Sequence, residues 1–458
     1  MKRSDMKIFI VGAGHIGTAL AAQLSRDGHE VTVIDREEEV IRSLADRIDA
    51  IGYEGNGASY NTLDELNAQD ADILIAVTNS DEMNILSCFT AHMLGARHTI
   101  ARIRDEDYAS QNHFYKDKLG ISMIINPELA TAYEIFRTLR FPSATRVEVF
   151  AGGKAELVET TISETSPLCG RSLIDINRQM GINLLFCVVV RDGEPFVPKG
   201  DTEIRAGDIV YLTGAASEFH TSFKKLKMAF RPVTNVMIAG NDRITSYLGQ
   251  LLVNQNVKVT IVDDDKEICE RFTQRVKKAA VMNEDALRYF DLMTEQDLAN
   301  TDAFIAITEN DEYNLIAAMY AESQGIGKVI SRISAKSRLK VLPKESKINI
   351  VSREDVAADR ILGYARALLN AEDKNAVESL YRLMDGRIEF IEFKVSESDK
   401  HIHVPLKELK IRRNILISGI IRNSRMIIPR GDDVLLPYDT ALVVTIGQQI
   451  ASLDDIYE

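Results

Sequence analysis

The sequence lacks tryptophan, has few aromatic residues and carries no excess of basic charge. Aromatic residues make up 7% of its 458 residues, and 55 Lys and Arg residues stand against 68 Asp and Glu residues, which gives a formal net charge of -13. Proteins that bind single-stranded nucleic acid stack bases on aromatic rings, and those that bind duplexes present positive charge to the phosphates. The composition therefore argues against nucleic acid as a partner.

Cysteine is also scarce. Its four positions, Cys88, Cys169, Cys187 and Cys269, are far apart and form no Cys-x-x-Cys pair. This spacing argues against a zinc site and against a disulfide framework. We therefore expect reduced thiols and no bound metal.

No apolar run approaches the roughly 20 residues that a membrane-spanning helix needs. The longest apolar stretches, such as residues 182–190, have the length of buried strands. The first residues, MKRSDMKIFIVGAG, contain no long apolar core of the kind found in signal peptides. We expect a cytoplasmic protein that does not insert directly into a membrane.

What the sequence does contain is an internal duplication. KIFIVGAGHIGTALAAQLSRDGHEVTVID aligns with NVMIAGNDRITSYLGQLLVNQNVKVTIVD, so that Gly12 matches Gly240 and Asp35 matches Asp263, both 228 residues apart. AVTNSDEMN matches AITENDEYN, and RDGEPFVPKGD matches RNSRMIIPRGD. Matching spacing at this many points indicates two copies of one plan, each with a large unit followed by a small one.

The duplication predicts four domains. Each large unit alternates Val- and Ile-rich runs with amphipathic stretches of helix length, which is typical of a parallel, doubly wound, Rossmann-type α/β sheet. Each small unit contains short strands separated by Gly, Pro and Asp, which indicates a β-rich α+β module. The predicted domains are N1 (6–142), C1 (143–230), N2 (231–375) and C2 (376–458).

A glycine motif, G-x-G-x-x-G, stands directly after the first apolar run, at residues 12–17. Gly12 allows a tight turn, Gly14 lets the backbone approach a pyrophosphate, and Gly17 lets the helix pack closely on the sheet. The helix N-terminus offers unpaired N–H groups to the phosphates. The motif predicts a nucleotide or dinucleotide site whose candidate contacts here are Gly12, Gly14, His15, Ile16 and Gly17.

An acidic residue stands where the ribose of such a ligand is expected. Asp35 closes the second strand pattern 18 residues after Gly17, a position from which a carboxylate accepts hydrogen bonds from both ribose hydroxyls. Asp35 repels the 2′-phosphate of NADP, although the neighbouring Arg36 leaves NADP open. NAD(H) is therefore the favoured dinucleotide.

The second copy departs from this motif. It keeps Gly240 but places Asp242 where the first copy has Gly14. A carboxylate there repels a phosphate by about 3 kcal/mol, roughly a hundredfold in affinity, and it can satisfy the helix N-terminus as a bound phosphate does. Asp263 is retained and Arg243 offsets part of the repulsion. The sequence leaves open whether the second site is altered or functional.

Further candidates follow the later strand patterns. Val77 and Thr78 precede a helix pattern, and they either lie beside the adenine, since ligands bind at strand ends in such sheets, or belong to a helix cap. Asn56 is a weaker candidate for the same pocket. Arg102 and Arg104 either reach phosphates or face solvent.

Together these segments resemble a known family. VGAGHIG, AVTNSDEMN, IARIRDEDY, INPELA and the duplicated RDGEPFVPKGD and RNSRMIIPRGD segments are similar to those of the TrkA-type regulatory subunits of bacterial Trk potassium-uptake systems, within the wider regulator-of-potassium-conductance (RCK) family. The similarity spans nearly the whole chain in the order N1, C1, N2, C2.

The resemblance implies a peripheral ring on the inner face of the plasma membrane, bound to a separate Trk-type potassium-channel subunit. It implies NAD(H) and ATP or ADP as ligands, with Gly12, Gly14, Gly17 and Asp35 holding the nucleotide in N1. It also implies a homo-oligomer, either a dimer or a tetramer. We therefore expect a non-enzymatic ligand sensor.

The alternative is an NAD-dependent oxidoreductase, which a Rossmann motif alone always invites. Such an enzyme needs a proton donor or acceptor beside the nicotinamide, and the chain contains no Tyr-x-x-x-Lys motif. The small units are also short and regular for a substrate domain. The sensor is the favoured hypothesis.

Overall fold

The computed structural model divides the chain into two compact units. One unit contains Met1–Leu139 and Val233–Leu362, and the other contains Arg140–Pro232 and Gly363–Glu458. The two large domains therefore belong to one unit and the two small domains to the other. The structure describes residues 6–105, 108, 112–140, 146–226, 233–334, 341–343, 346–371, 377–384, 386–448, 450 and 452–458.

Domain N1 is a six-stranded parallel sheet with helices between its strands. Its strands are Lys7–Val11 (β1), Glu30–Asp35 (β2), Ile51–Glu54 (β3), Ile73–Ala76 (β4), His98–Arg102 (β5) and Met123–Ile125 (β6). Its helices are His15–Arg26 (α1), Glu38–Ala45 (α2), Tyr60–Glu65 (α3), Asp81–Leu94 (α4), Asn112–Leu119 (α5) and Pro127–Arg140 (α6). The strand order is β3-β2-β1-β4-β5-β6, so the chain adds β2 and β3 on one side of β1 and β4 to β6 on the other. Doubly wound sheets bind their ligands at this switch point, between β1 and β4.

Domain C1 is a five-stranded antiparallel sheet. Its strands are Arg146–Phe150 (β7), Ala155–Thr161 (β8), Leu185–Arg191 (β9), Glu194–Phe196 (β10) and Ile209–Gly214 (β11), and its helices are Leu173–Met180 (α7) and Ala216–Lys225 (α8). The strand order is β10-β9-β11-β8-β7.

Domain N2 repeats the plan of N1. Its strands are Asn235–Ala239 (β12), Lys258–Asp263 (β13), Ala280–Asn283 (β14), Ala303–Ala306 (β15), Lys328–Arg332 (β16) and Asn349–Val351 (β17). Its helices are Arg243–Asn254 (α9), Lys266–Arg275 (α10), Ala286–Leu292 (α11), Glu295–Asn300 (α12), Asp311–Ser323 (α13) and Arg353–Ala371 (α14). The parallel order β14-β13-β12-β15-β16-β17 corresponds strand for strand to that of N1.

Domain C2 repeats the plan of C1. Its strands are Val377–Leu383 (β18), Ile388–Lys394 (β19), Ile415–Arg422 (β20), Arg425–Ile427 (β21) and Thr440–Ile446 (β22), in the order β18-β19-β22-β20-β21. The two small sheets share a core, in which the Phe150 ring lies 4.5 Å from Tyr381 and 5.9 Å from Phe390, centroid to centroid.

Each small domain is also fixed by a buried ion pair. Arg191 donates two hydrogen bonds to the buried Asp208 carboxylate, at 2.8 and 2.7 Å. Burial alone would raise the pKa of Asp208, but the hydrogen bonds from Arg191 and from the Arg205 amide outweigh it, so the net shift is downward. Arg422 and Asp439 repeat the pair in C2 at 3.0 and 2.7 Å.

One helix of N1 completes the core of N2. Ala132, Ile135 and Leu139 of α6 are buried in the same apolar cluster as Ile238 and Ile305, which lie on the central strands of N2. Burial of an Ile or Leu side chain contributes about 2 kcal/mol. The two large domains are therefore held together by a shared core as well as by the chain.

The predicted fold class is confirmed: two Rossmann-type domains alternate along the chain with two small β-rich domains. The predicted domain boundaries at 142, 230 and 375 fall outside the described residues and stay predictions. Among the residues that the structure describes, no helix combines the length and apolarity that crossing a bilayer requires.

Candidate nucleotide-binding site

The glycine loop of N1 connects β1 to α1 at the point where the strand order reverses. Gly12 has φ of +104°, a conformation that side chains rarely adopt, and its amide donates to the Ile34 carbonyl at 2.8 Å. A Cβ at this position would lie 3.0 Å from the Thr78 nitrogen. The loop thus packs closely against the end of β4, and this close approach requires a glycine, as at the first glycine of a dinucleotide loop.

The other two glycines of the motif have opposite surroundings. A Cβ at Gly17 would collide with the Gly12 carbonyl oxygen, so this glycine is required for the helix to approach the loop. Gly14 is exposed, and a Cβ there would meet nothing within 4 Å. The space above Gly14 is therefore open to a ligand at the N-terminus of α1.

The Asp35 carboxylate lies beside this loop. Its Oδ2 accepts a hydrogen bond from the Ala13 amide at 2.6 Å, and its Oδ1 accepts one from the Glu37 amide at 3.1 Å. Each carboxylate oxygen can accept a further hydrogen bond. Asp35 can therefore hold the loop and still accept the hydroxyls of a ribose.

Asn84, which the sequence reasoning did not assign to the site, organises the end of β4. Its side chain is fully buried, its Oδ1 accepts from the Thr78 amide at 2.8 Å and the Thr78 hydroxyl at 2.7 Å, and its Nδ2 donates to the Arg102 carbonyl at 2.8 Å. The signal that points to it in the sequence is its repetition at Asn314, whose side chain makes the equivalent bonds to Thr308 and Arg332.

Arg102 is buried rather than solvent-facing, so the solvent alternative for it was wrong. The residue is 4% exposed, its Nη1 donates to the Thr78 carbonyl at 2.8 Å, and its Nη2 lies 4.0 Å from the Glu128 carboxylate. Burial lowers the pKa of Arg102. Arg104 is half-buried, and its side chain donates to the Asn79 carbonyl.

The remaining predicted residues surround the loop. Val77 is buried next to Thr78, and the half-buried Asn56 accepts a hydrogen bond from the Ala58 amide at 3.1 Å. His15 and Arg36 are exposed. Ile16 is buried in α1.

A polar cleft of about 400 Å³ continues from the end of β4 towards N2. It is lined by Asn79, Ser80, Asp81, Glu82, Arg104, Asp105, Tyr108 and Arg243. Arg243 is the first residue of α9, so the second domain contributes a cation to the cleft of the first. Sequence spacing alone could not place Arg243 there, because the contact joins residues of different domains.

The glycine loop of N2 contains its own carboxylate. Asp242 Oδ1 accepts a hydrogen bond from the Thr245 amide at 3.0 Å, and Oδ2 accepts one from Arg332 Nη1 at 3.2 Å. Burial raises the pKa of Asp242, and the Thr245 amide and Arg332 oppose that shift. Thr245 replaces the third glycine, and its hydroxyl donates to the Gly240 carbonyl at 2.9 Å.

The retained acid of N2 repeats the contacts of Asp35 but lies among more negative charge. Asp263 Oδ1 accepts from the Asp265 amide at 2.9 Å, and burial raises the pKa of Asp263, with further increases from Asp264 and Asp265. In N1 the corresponding carboxylate accepts from the Glu37 amide in the same way, and the loop amides of Ala13 and Asn241 take equivalent places beside the two acids. The two loops therefore share a backbone plan but differ in charge and in hydrogen bonding.

Comparison with known proteins identifies both kinds of domain. The TrkA-N domain family matches residues 8–127 and 236–354, and the TrkA-C domain family matches residues 157–227 and 390–457. These matches reproduce the order large, small, large, small that the duplication predicts.

Relatives match along the whole chain. A protein of Methanosarcina mazei named Trk system potassium uptake protein TrkA homolog 1 is 28% identical, and the match covers 99% of this chain and 100% of the relative. The Trk system potassium uptake protein TrkA of Halomonas elongata is 29% identical over 97% of this chain and 96% of its own length.

Solved structures show the same fold at low identity. The GsuK RCK domain superposes with a TM-score of 0.61 at 16% identity, covering 98% of this chain and 94% of that structure. The GsuK channel bound to NAD gives a TM-score of 0.60 at 16% identity, covering 98% and 78%. The domain matches and the full-length relatives confirm the resemblance drawn from the sequence motifs. This chain belongs to the family of proteins that combine TrkA-N and TrkA-C domains.

Proposed function

We propose that this chain is a peripheral cytoplasmic regulatory subunit that binds NAD(H) and ATP or ADP and gates a Trk-type potassium-uptake channel in the plasma membrane. The observation that carries the proposal is its end-to-end similarity to proteins named as Trk potassium uptake proteins, with both domain types in matching order. The open loop of N1 supports the ligand part of the proposal.

The ligand site that we propose in N1 follows from the geometry of its loop. The pyrophosphate would lie over Gly14, where the backbone is open and the N-terminus of α1 supplies N–H groups and a positive dipole. The adenosine ribose would bond to Asp35, and the adenine would lie near Val77, Thr78 and Asn56 at the strand ends. His15 and Arg36 are the exposed groups at the rim, and Gly12, Ile16 and Gly17 shape the loop.

ADP places its two phosphates where the pyrophosphate of a dinucleotide lies, and ATP adds a third phosphate beyond that position. The cleft that begins at Asn79 has room for a phosphate chain. Its lining combines the guanidinium groups of Arg104 and Arg243 with the carboxylates of Asp81, Glu82 and Asp105. Arg102 is buried next to Thr78 and adds positive potential at the same strand ends. The proposal of ATP and ADP as ligands of N1 therefore rests on the open loop at Gly14 and on Arg102, and not on the net charge of the cleft.

A sensor needs two states with different affinities for its ligand. A nucleotide shifts such an equilibrium only by that difference in affinity, and the membrane subunit would respond to the shift. Because Arg243 of N2 lines the cleft of N1, a ligand there touches both large domains. We propose that the chain acts as a homo-oligomeric ring, a dimer or a tetramer, rather than as an enzyme.

The test is potassium flux through reconstituted membranes. Vesicles that contain a candidate Trk-type membrane subunit would be loaded with this chain, and flux would be measured with NAD, NADH, ADP and ATP in turn. We expect the chain to co-purify with the membrane subunit and at least one nucleotide to change the flux severalfold. Flux that does not depend on the chain would contradict the regulatory role.

Two variants of one glycine give matched controls. Gly14 has φ of -68°, which any residue adopts, so both Gly14→Ala and Gly14→Asp should fold. Asp at this N-cap position should even stabilise α1. We expect G14D to weaken nucleotide binding about a hundredfold by charge repulsion, whereas G14A should weaken it far less.

Equal affinities in wild type and G14D would show that the loop has only a structural role. The oxidoreductase alternative has its own readout. If NADH absorbance fell in the presence of a substrate and Asp35→Ala abolished that fall, the enzyme hypothesis would replace the sensor hypothesis.

A further inference from the structure

We propose that Asp242 is a built-in anionic ligand of N2. Its carboxylate occupies the phosphate position of the second glycine loop, and the chain therefore binds one nucleotide, in N1. The one-nucleotide part of this inference rests on the proposed function of N1, whereas the role of Asp242 in N2 does not.

The contacts of Asp242 are those that a phosphate receives at such a loop. One carboxylate oxygen bonds to the Thr245 amide at the N-terminus of α9, and the other bonds to the Arg332 guanidinium. An amide of a helix N-terminus together with an arginine is a common arrangement for binding phosphate groups. Asp242 satisfies both donors from within the chain.

The equivalent arginine of N1 shows what the loop is like without this carboxylate. Arg102 and Arg332 end corresponding strands, β5 and β16, and each is 4% exposed. Arg332 is paired with Asp242, whereas Arg102 donates to the Thr78 carbonyl and sits beside a loop whose Gly14 offers no side chain. N1 has the positive charge without an anion over the loop, and N2 has both.

A further feature of N2 disfavours an external phosphate. Asp263, Asp264 and Asp265 add negative charge at the end of β13. A phosphate approaching N2 would have to displace the Asp242 carboxylate and would meet three more acids.

The first test is the number of nucleotides bound. Calorimetry of the full chain with NADH or ADP should give one site per chain for wild type, and no site of the original affinity should remain in the G14D variant. Two sites in wild type, or one site of undiminished affinity in G14D, would overturn the inference. Wild type that binds no nucleotide at all would refute the proposed function instead, and would leave the second test to decide the role of Asp242.

The second test uses inorganic pyrophosphate as the probe, in the G14D background so that N1 is blocked. Asp242→Ser keeps a hydroxyl that caps α9 but removes the charge and frees Arg332. We expect G14D/D242S to bind pyrophosphate at least tenfold more tightly than G14D. Pyrophosphate should accordingly raise the Tm of G14D/D242S more than it raises the Tm of G14D. Asp242→Asn, which keeps the side-chain shape, should give the same direction of change.

The control is the arginine. Adding Arg332→Met to G14D/D242S should remove the gain in pyrophosphate affinity. Circular dichroism would show whether G14D/D242S and G14D/D242N are folded. If both are folded and neither binds pyrophosphate more tightly than G14D, Asp242 does not occupy the phosphate position and the proposal is wrong.

Discussion

The two large domains have the same framework, but their glycine loops differ in charge. Their strands follow one order, and a buried asparagine, Asn84 or Asn314, ties the end of the fourth strand to the fifth in each. Their glycine loops differ in charge, because Gly14 leaves an opening where Asp242 supplies a carboxylate. The comparison shows that the framework of the two domains is the same although their glycine loops differ in charge.

The small domains provide a reference for this difference. The pairs Arg191–Asp208 and Arg422–Asp439 have nearly the same distances. Both pairs join a β-hairpin to the loop that precedes the next strand. Divergence between the two copies is therefore pronounced at the glycine loops and slight at these ion pairs.

The largest effect is expected from exchanging the third loop residue. Gly17→Thr should destabilise the large-domain unit by about 4 kcal/mol, because the new Cβ would collide with the Gly12 carbonyl oxygen. The reverse change, Thr245→Gly, should cost only about 1 kcal/mol, since it removes one hydrogen bond and adds a flexible residue. Chemical denaturation measures both, and equal losses would mean that the loops are interchangeable.

The next effect should be the same in both copies. Asn84→Ala and Asn314→Ala should each cost about 3 kcal/mol, because each leaves buried amide and carbonyl groups without partners. Denaturation midpoints of the two variants are the measurement. A marked difference between them would show that the framework, and not only the loop, has diverged.

A third prediction concerns pH. Lys328 begins β16, and burial lowers its pKa to about 8, whereas N1 has His98 at the corresponding start of β5. Between about pH 8 and 10.5 the unfolded chain holds a proton that the folded chain has lost, so the stability of wild type rises with pH in that range. Lys328→Met removes this dependence and should be more stable than wild type by about 2 kcal/mol at pH 7.

The measurement for Lys328 is the difference in unfolding free energy between variant and wild type from pH 7 to 10. The difference should shrink as the pH rises. A difference that stays constant across this range would show that Lys328 carries no shifted titration.

The smallest effect separates the two strand-end acids. Asp35→Ala should weaken NADH binding about tenfold, or about 1.4 kcal/mol, because it removes the ribose acceptor and releases the Ala13 amide. Asp263→Ala should leave the affinity unchanged, since the ligand is expected in N1. Calorimetry decides, and equal losses in the two variants would place ligands in both domains.

Much of the fold was predictable because it depends on local sequence patterns. The strand and helix periods, the glycine motif and Asp35 all lie within about 30 residues of one another, and the duplication supplied an internal check. The structure ends β2 at Asp35, where the sequence pattern places the end of the second strand. The departure at Asp242 was also visible, because one copy could be compared with the other.

The rest depends on contacts between distant parts of the chain. The burial of Arg102, the position of Arg243 in the cleft and the pairing of Asp242 with Arg332 each join residues that only the folded sheet brings together. A strand-end arginine has the same sequence signature whether it is buried or exposed. Without the topology, its partner could not be chosen.

The insertion of α6 into the core of N2 has a consequence for symmetry. In a dimer of identical subunits every substitution appears in both loops at once, so neither loop can change alone. Here both loops belong to one polypeptide, and Ala132, Ile135 and Leu139 keep the two domains in one core. A residue such as Asp242 can therefore alter one loop and leave its counterpart intact. The paired domains are equivalent to a heterodimer whose two subunits are encoded in one chain.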